Sequence, residues 1–252
     1  MSKNFQLLMR AEQEVSSGSG KKRHQVLWTP PAEVHAVPSC PLDGVDERSR
    51  DQVAKLVRQL FLLPGAVRAV AFAAVEPGNG CSWMAVQCAR ILASQVGGAV
   101  CIIDANLHSP SLHRYFGIGN YRGFSDVMGH PGRLRDCVFP VSGVSNLWLM
   151  TAGSSCDGRD AFGGERLQSV IEELRSHFDY LIIDSAALNP YGDALMLGQA
   201  ADGIALVVAE QNTRKESARH AVEELKKANV RILGAVLNKR TFPIPQKLYE
   251  KL

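Results

Sequence analysis

Short apolar runs alternate with amphipathic helical patterns over most of the chain. Between the runs, apolar residues recur at helical spacing, as in 167–178 and 218–225. Strands that alternate with helices predict an α/β fold, with a mostly parallel central sheet, helices on both faces, and ligands at the carboxyl ends of the strands. Six runs, most of them rich in valine and isoleucine, are typical of strands covered on both faces: 69–75, 99–103, 147–150, 180–183, 204–208 and 232–237.

The first 45 residues have a different composition. A short amphipathic piece leads into serines, glycines and the basic stretch Lys21-Lys22-Arg23, and prolines follow. Such a composition cannot bury a core, so 1–45 is predicted to be a flexible arm. Apolar residues between Val53 and Phe61 then share one helical face, which predicts a helix that docks ahead of the first strand. Residues 46–252 are predicted to form one domain.

Composition and charge exclude several classes of function. The net charge is only +3, and the basic residues are spread along the 252-residue chain, so no nucleic-acid partner is predicted. Six cysteines without metal-ligand spacing indicate a reduced, cytoplasmic protein. No apolar run approaches the roughly 18 residues that span a bilayer. A membrane role would therefore act through a partner.

A glycine loop between the first strand and the next helix is the main candidate for chemistry. It reads Pro77-Gly78-Asn79-Gly80-Cys81-Ser82. In this context glycines let backbone N–H groups curl around a phosphate at the helix N-terminus, and Ser82 stands where a magnesium-binding hydroxyl belongs. In the working motif the preceding residue is a lysine that reaches the β- and γ-phosphates. The alternative is that 77–80 is only a turn.

Cys81 replaces that lysine, and a neutral thiol cannot neutralise phosphate charge as an ammonium ion does. The helix N-terminus could lower the pKa of Cys81, but a thiolate would repel phosphate. Losing a charge-assisted phosphate contact costs about 2–3 kcal/mol in binding, and more where transferring charge must be stabilised. ATP or ADP with magnesium is therefore predicted to bind more weakly, and hydrolysis is predicted to suffer most.

Two acids follow strands that should end at the same edge of the sheet. Asp104 closes the second apolar run, where it is predicted to hold magnesium together with Ser82. Asp184 closes the run 180–183, as the acid of a Walker B strand does. A single aspartate in this position is usually a helix cap or a turn former. Two of them beside a glycine loop indicate an ancestral catalytic site.

From about residue 46 onward, the sequence resembles the bacterial tyrosine kinases (BY-kinases) of capsule and exopolysaccharide systems, relatives of the deviant-Walker partitioning ATPases. The resemblance implies a P-loop NTPase fold, ATP and magnesium at the loop, and a contact from Asn238 to the adenine base. It also implies a second-strand motif Asp-x-Asp-x-Arg and a Walker B ending Asp-Thr-Pro-Pro. Besides the loop and the two acids, these segments carry the resemblance: 51–61, 110–117, 123–127, 193–195, 201–203 and 233–238.

All three nucleotide-site motifs depart from the family's pattern. Cys81 stands for the lysine, Asn106 and His108 stand for an acid and an arginine, and Ser185-Ala186-Ala187 follows Asp184. The tail has Tyr249 alone, without the tyrosine cluster of autokinases. The resemblance therefore implies a degenerate member, a regulator or scaffold with impaired or absent hydrolysis. Its partner would be the cytoplasmic part of a membrane polysaccharide chain-length protein, and it would form homo-oligomers or pair with an intact paralogue.

Three alternatives stay open. An active ATP-dependent tyrosine autokinase would have to recruit a cation from elsewhere, such as Arg114 or Lys239. A DNA-dependent partitioning ATPase is disfavoured because the chain lacks a basic face. An iron–sulfur reductase would need cluster cysteines, for which Cys137 and Cys156 are candidates, although structural roles are favoured for both. Trp83 is interpreted as a packing residue, and His108 and His113 are interpreted as surface or capping residues.

Overall fold

The computed structural model describes residues 47–130, 132–154, 164–210 and 212–240, and the strands in these ranges form one seven-stranded sheet. The predictions for the arm 1–45, for Cys156 and for Tyr249 lie outside the described residues. The strands are β1 (Ala69–Ala74), β2 (Val100–Asp104), β3 (Phe139–Pro140), β4 (Leu147–Met150), β5 (Tyr180–Asp184), β6 (Ile204–Ala209) and β7 (Ile232–Asn238).

The sheet has the order β3-β4-β2-β5-β1-β6-β7, and neighbouring strands are parallel except for β3, which pairs antiparallel with β4. The predicted mostly parallel sheet is confirmed. The sequence did not predict β3, because a two-residue strand has no periodicity to detect. Its Pro140 suits an edge position, where a missing N–H breaks no ladder.

Helices cover both faces of the sheet, as predicted. They are α1 (Glu47–Val57), which continues as a π-helical turn (Arg58–Leu62), α2 (Cys81–Gln95), α3 (Leu112–Tyr115), α4 (Phe124–Gly129), α5 (Gly164–His177), α6 (Asp193–Ala200) and α7 (Lys215–Lys227), with a 3-10 turn at Leu134–Cys137. None of the helices in the described ranges is long and apolar enough to cross a membrane.

Strand β1 shows how the two faces are built. Its residues Ala69, Ala71 and Ala73 belong to one apolar cluster, together with buried residues of α4, α5, α6 and α7. The alternate residues of β1, including Val70 and Phe72, belong to a second cluster with α1 and α2. Because side chains alternate between faces along a strand, a continuous apolar run such as β1 supplies both layers at once.

The parallel arrangement brings the carboxyl ends of the central strands to one edge of the sheet. The glycine loop follows β1, and strands β2 and β5 end in Asp104 and Asp184, which are direct partners in the pairing register. Asn238, the last residue of β7, and Lys239, which follows it, reach the same edge. The topology therefore places the sequence-predicted site residues within one region of the molecule.

Candidate nucleotide site

The loop between β1 and α2 needs glycine at two positions. Gly78 and Gly80 have φ angles of 80° and 85°, in the left-handed region that residues with a side chain avoid. Gly80 is the N-cap residue of α2, and a Cβ atom built on it would collide with the side-chain amide of Asn238. The strand, tight glycine loop and helix that the sequence indicated are therefore present.

We expect Gly80→Ala to lower the free energy of unfolding by about 1–3 kcal/mol, because alanine would carry both the unfavourable φ and the collision with Asn238. Gly97→Ala is the matched control, since a Cβ atom there meets nothing within 4 Å and its φ is not positive, and it should change stability by less than about 0.5 kcal/mol. Urea denaturation of both variants measures the difference. Equal effects would contradict the assigned backbone requirement.

A cavity of about 620 Å³ opens at this edge, within the size range of small-molecule sites. Half-buried Trp83 lines the cavity and also packs against the α1–α2 cluster. The first turn of α2, with its unpaired backbone N–H groups, borders the cavity. Its other lining residues are 74, 77–82, 106, 108, 109, 111, 115, 185, 187, 191, 238 and 239.

Two side chains that follow each other at the end of β7 contact the loop. Asn238 donates from Nδ2 to the carbonyl oxygen of Asn79 at 2.9 Å, and Lys239 donates from Nζ to the carbonyl oxygen of Gly78 at 2.7 Å. Arg114, the other cation considered from the sequence, donates to the carbonyl oxygen of Pro110 at 2.9 Å and does not line the cavity. Lys239 is therefore the cation that the structure brings to the loop.

The side chain of Asn79 faces the interior of the protein. It is buried, and its Nδ2 donates to Oγ1 of Thr213 at 2.9 Å, while that oxygen also accepts from the N–H of Ala209 at 3.1 Å. Asn79 was predicted to bind the cofactor. The structure gives its side chain an anchoring role instead, so only its backbone is placed to contact a ligand.

Cys81 is buried beside Asp184, and its thiol is neutral. Burial, followed by the charge of Asp184, raises the pKa of Cys81 well above its ordinary value. The lowered pKa considered for a helix N-terminus is therefore wrong for this cysteine, because desolvation and a neighbouring carboxylate both oppose ionisation. The position of the expected lysine carries no charge.

Asp184 is completely buried, and no donor in the described residues meets hydrogen-bond geometry at either carboxylate oxygen. Burial, followed by the charge of Asp104, raises the pKa of Asp184 well above its usual value, while nearby Ser82 and Cys81 lower it in part. A buried carboxylate without a firm partner is costly. Its unused oxygens, with the half-buried hydroxyl of Ser82, are the oxygen ligands that magnesium prefers.

Asp104 has a different environment. Its Oδ2 accepts from the N–H groups of Ser111 and Leu112 at 3.0 and 2.9 Å, and its Oδ1 accepts from the N–H of Asn106 at 3.3 Å. Burial raises the pKa of Asp104 to about 6, although these hydrogen bonds lower it in part. Asp104 shapes the turn before α3, and these N–H donors already occupy its oxygens, whereas the oxygens of Asp184 have no such donor. Neither acid is among the residues that line the cavity. The geometry favours Asp184 over Asp104 as the acid beside Ser82.

One group of residues at the cavity mouth was missed by sequence reasoning. Nε2 of His108 lies 2.8 Å from Oδ2 of Asp193, and the His108 ring stacks on Tyr191 with a centroid distance of 3.6 Å. The sequence analysis interpreted His108 as a surface or capping residue and did not assign Tyr191 a role. Asp193 belongs to a segment that carried the family resemblance, which was the available indication. In the described ranges, no three His, Cys, Asp or Glu residues form a metal-binding group.

The sheet, the glycine loop and the cavity together define a P-loop NTPase domain. Residues 67–251 match the family model described as ParA, NUBPL iron-transfer P-loop NTPase. The chain belongs to this ParA family of P-loop NTPases. Cys137, the described member of the cysteine pair considered for a cluster, is buried in the core.

Curated relatives confirm the resemblance to bacterial tyrosine kinases. The chain is 27% identical over 222 residues to the tyrosine-protein kinase YwqD of Bacillus subtilis, which covers 88% of each chain. It is 25% identical to the tyrosine-protein kinase CpsD of Streptococcus pneumoniae, over 77% of this chain and 85% of that one. It also matches ExoP of Rhizobium meliloti, a succinoglycan biosynthesis transport protein, at 28% identity over 74% of this chain and 24% of ExoP.

Solved structures show the same fold. The chimerical protein CapA2B2 superposes with a TM-score of 0.72 at 20% identity, covering 80% of this chain and 88% of that one. The kinase domain of the Escherichia coli tyrosine kinase ETK superposes with a TM-score of 0.70 at 18% identity, covering 85% and 88%. The septum site-determining protein MinD of Pyrococcus horikoshii, complexed with Mg-ADP, gives 0.58 at 19% identity, covering 73% and 76%.

Proposed function

We propose that this chain is a degenerate tyrosine-kinase-like P-loop protein whose ATP hydrolysis is impaired or absent. It acts as a regulator or scaffold in the biosynthesis or export of exopolysaccharide or capsule. The observation that carries the proposal is the replacement of the loop lysine by Cys81, a buried and uncharged thiol.

The proposed loss of hydrolysis follows from how phosphoryl transfer is catalysed. Enzymes of this type act almost entirely by positioning the reactants and by stabilising charge on the transferring group. Removing one preorganised charge-stabilising contact typically lowers the rate by about 10²–10³-fold. Binding loses less, because the backbone N–H groups of the loop and the hydroxyl of Ser82 remain. The replacement of the lysine is therefore expected to lower the rate of hydrolysis more than the affinity for nucleotide.

The proposed ligand is ATP or ADP with magnesium, bound more weakly than by members that keep the lysine. Ser82 and the buried carboxylate of Asp184 would hold the metal, and Asn238 would contact the adenine base. The Mg-ADP complex of MinD, which shares this fold, supports this class of ligand. Bound magnesium would neutralise phosphate charge, while the chain itself contributes the cradle and the orientation.

The proposed partner is the cytoplasmic part of a membrane protein for polysaccharide chain-length control or transport. The match to a segment that makes up 24% of ExoP supports this partner, because in that transport protein a similar domain is joined to a much longer chain. The protein would then be cytoplasmic and held peripherally at the inner membrane. Assembly as a homo-oligomer, or with an intact paralogue, is part of the same proposal, and no nucleic acid takes part.

We expect the purified full-length protein to release phosphate from MgATP no faster than its Cys81→Ala and Asp184→Asn variants do. We also expect it to co-purify with the cytoplasmic segment of the polysaccharide transport protein from the same cell. Phosphate release by a coupled assay and affinity co-purification measure the two parts. Turnover in the wild type that disappears in Asp184→Asn would refute the proposal of impaired hydrolysis.

An active tyrosine autokinase is the second candidate, because Lys239 brings a cation to the loop. The autokinase and the degenerate protein differ in one product, a phosphorylated tyrosine. Incubation with MgATP followed by mass spectrometry would find phosphate on Tyr249 if the chain is an autokinase, and an unmodified Tyr249 if hydrolysis and transfer are both lost.

A further inference from the structure

We propose that Lys239 supplies the cation that the loop lacks, and that it binds the β-phosphate region of a nucleoside diphosphate or triphosphate. The inference rests on the proposed nucleotide site but not on the proposed loss of hydrolysis. It assigns to a residue beyond the loop motif the phosphate contact that the family takes from the position of Cys81.

The position of Lys239 is the first observation. Its Nζ lies 2.7 Å from the carbonyl oxygen of Gly78, in the middle of the glycine loop, although the two residues are 161 positions apart in sequence. Among the described residues that line the cavity, Lys239 is the one lysine or arginine. An ammonium group has three donors, so the bond to Gly78 leaves two for an anion.

The backbone of Lys239 is the second observation. Its φ is 55°, and among the described residues only Asn229 shares a positive φ without being glycine. Asparagine tolerates this conformation better than lysine does, so the conformation of Lys239 is the less expected of the two. The turn directs the long side chain back over the loop. Strained backbone of this kind concentrates at functional sites, because the surrounding structure must enforce it.

A separate observation indicates a ligand at the same place. The carboxyl group of Asp184 is completely buried behind the cavity-lining residues Cys81 and Ser82, and its oxygens have no donor with hydrogen-bond geometry. A bound cation would stabilise the ionised form of this buried acid, and magnesium in P-loop proteins binds together with the phosphates of a nucleotide. Lys239 and Asp184 thus contribute to the charge balance of one magnesium–polyphosphate ligand.

Holding the loop does not by itself explain Lys239. The neighbouring Asn238 already holds the loop through the carbonyl oxygen of Asn79, and the collision of Asn238 with any side chain at position 80 shows how closely the two segments pack. The ammonium of Lys239 is exposed, where a hydrogen bond to a carbonyl contributes little to stability because water can replace it. A phosphate ligand would gain far more from it.

Isothermal titration of the full chain with MgATP, MgADP and adenosine tests the proposal. We expect Lys239→Met to weaken MgATP and MgADP binding by roughly 10- to 100-fold, the size of a lost charge-assisted contact, and to leave adenosine binding unchanged. Lys239→Arg should restore part of the affinity. Lys227→Met, which removes an exposed lysine paired with Glu224 on α7, is the control for net charge and should bind like the wild type.

The other outcomes are equally informative. A purely structural Lys239 would lower the melting temperature in Lys239→Met by several degrees and would weaken all three ligands alike, which overturns the proposal. A wild type that binds adenosine but neither phosphorylated ligand overturns it too, while the proposed scaffold function survives. Turnover of ATP by the wild type would instead remove the proposed loss of hydrolysis, and the affinity series would still decide the role of Lys239.

Discussion

Replacing Cys81 with lysine is expected to tighten the binding of MgATP by roughly 10- to 100-fold. The residue lies at the first position of α2 in a loop that already has the required glycine geometry. A lysine there can extend its methylene groups along the loop and place its ammonium in the cavity. It would also neutralise the adjacent Asp184, which has no firm partner at present.

Cys81→Met is the matched control for this substitution. Methionine is long and flexible like lysine, but it is uncharged, so it tests whether added bulk alone changes the site. Titration calorimetry with MgATP and MgADP provides the measurement. An unchanged affinity in Cys81→Lys, or an equal gain in Cys81→Met, would show that the missing charge does not limit binding.

Hydrolysis should recover much less than binding in Cys81→Lys. The second-strand motif still has Asn106 and His108, and Asp184 is still followed by Ser185-Ala186-Ala187. His108 contacts Asp193 and stacks on Tyr191, and these contacts fix its side chain at the cavity mouth. Restoring one residue therefore separates the missing charge of the loop from the changes in the other two motifs.

The second large effect concerns the two buried aspartates. Replacing each of them with asparagine should change the free energy of unfolding in opposite directions. Asp184→Asn is expected to raise the free energy of unfolding at pH 8 by about 1–3 kcal/mol, because it removes a buried carboxyl without a firm partner that faces the charge of Asp104. Asp104→Asn is expected to lower it by about 1–3 kcal/mol, because an amide cannot satisfy all three N–H groups that the carboxylate accepts.

The pH dependence of stability gives a further check on Asp184. Its pKa is raised in the folded protein above the ordinary value of 3.8, so the folded state holds a proton that the unfolded chain has released. The contribution of Asp184 to stability is therefore greatest below about pH 4, and it declines as the pH rises towards the pKa of the folded state. Urea denaturation between pH 5 and pH 8 should show a shallower decline in Asp184→Asn than in the wild type. Identical slopes would contradict the assignment.

The predictions for Cys81 and Lys239 share one physical basis. The glycine loop, the helix N-terminus and Ser82 keep the shape of a phosphate cradle, but the residue that should neutralise the phosphates has been replaced by a buried thiol. If Lys239 supplies a charge beside the loop and hydrolysis is lost as proposed, bound nucleotide occupies the site without being hydrolysed. A regulator of polysaccharide assembly could then respond to nucleotide occupancy without consuming it.

The sequence by itself determined the fold class, the loop and the missing lysine. Runs such as 204–208 predict buried strands because a strand covered on both faces must be apolar at every position, and this property is local. The order of strand, glycine loop and helix is local as well, so the position of Cys81 could be assigned from adjacent residues. The short edge strand β3 carried no such pattern and was missed.

Only the tertiary structure decided which residues share the site. Asp104 and Asp184 look alike in sequence, but the turn before α3 supplies backbone donors to Asp104, whereas Asp184 is left beside Ser82. Lys239 and Arg114 were equal candidates until the end of β7 placed one of them on the loop. The periodicity of apolar residues indicates which positions of one segment are buried. Whether residues of different segments lie close together depends on the order of the strands and on the path of each connection, which no local pattern encodes.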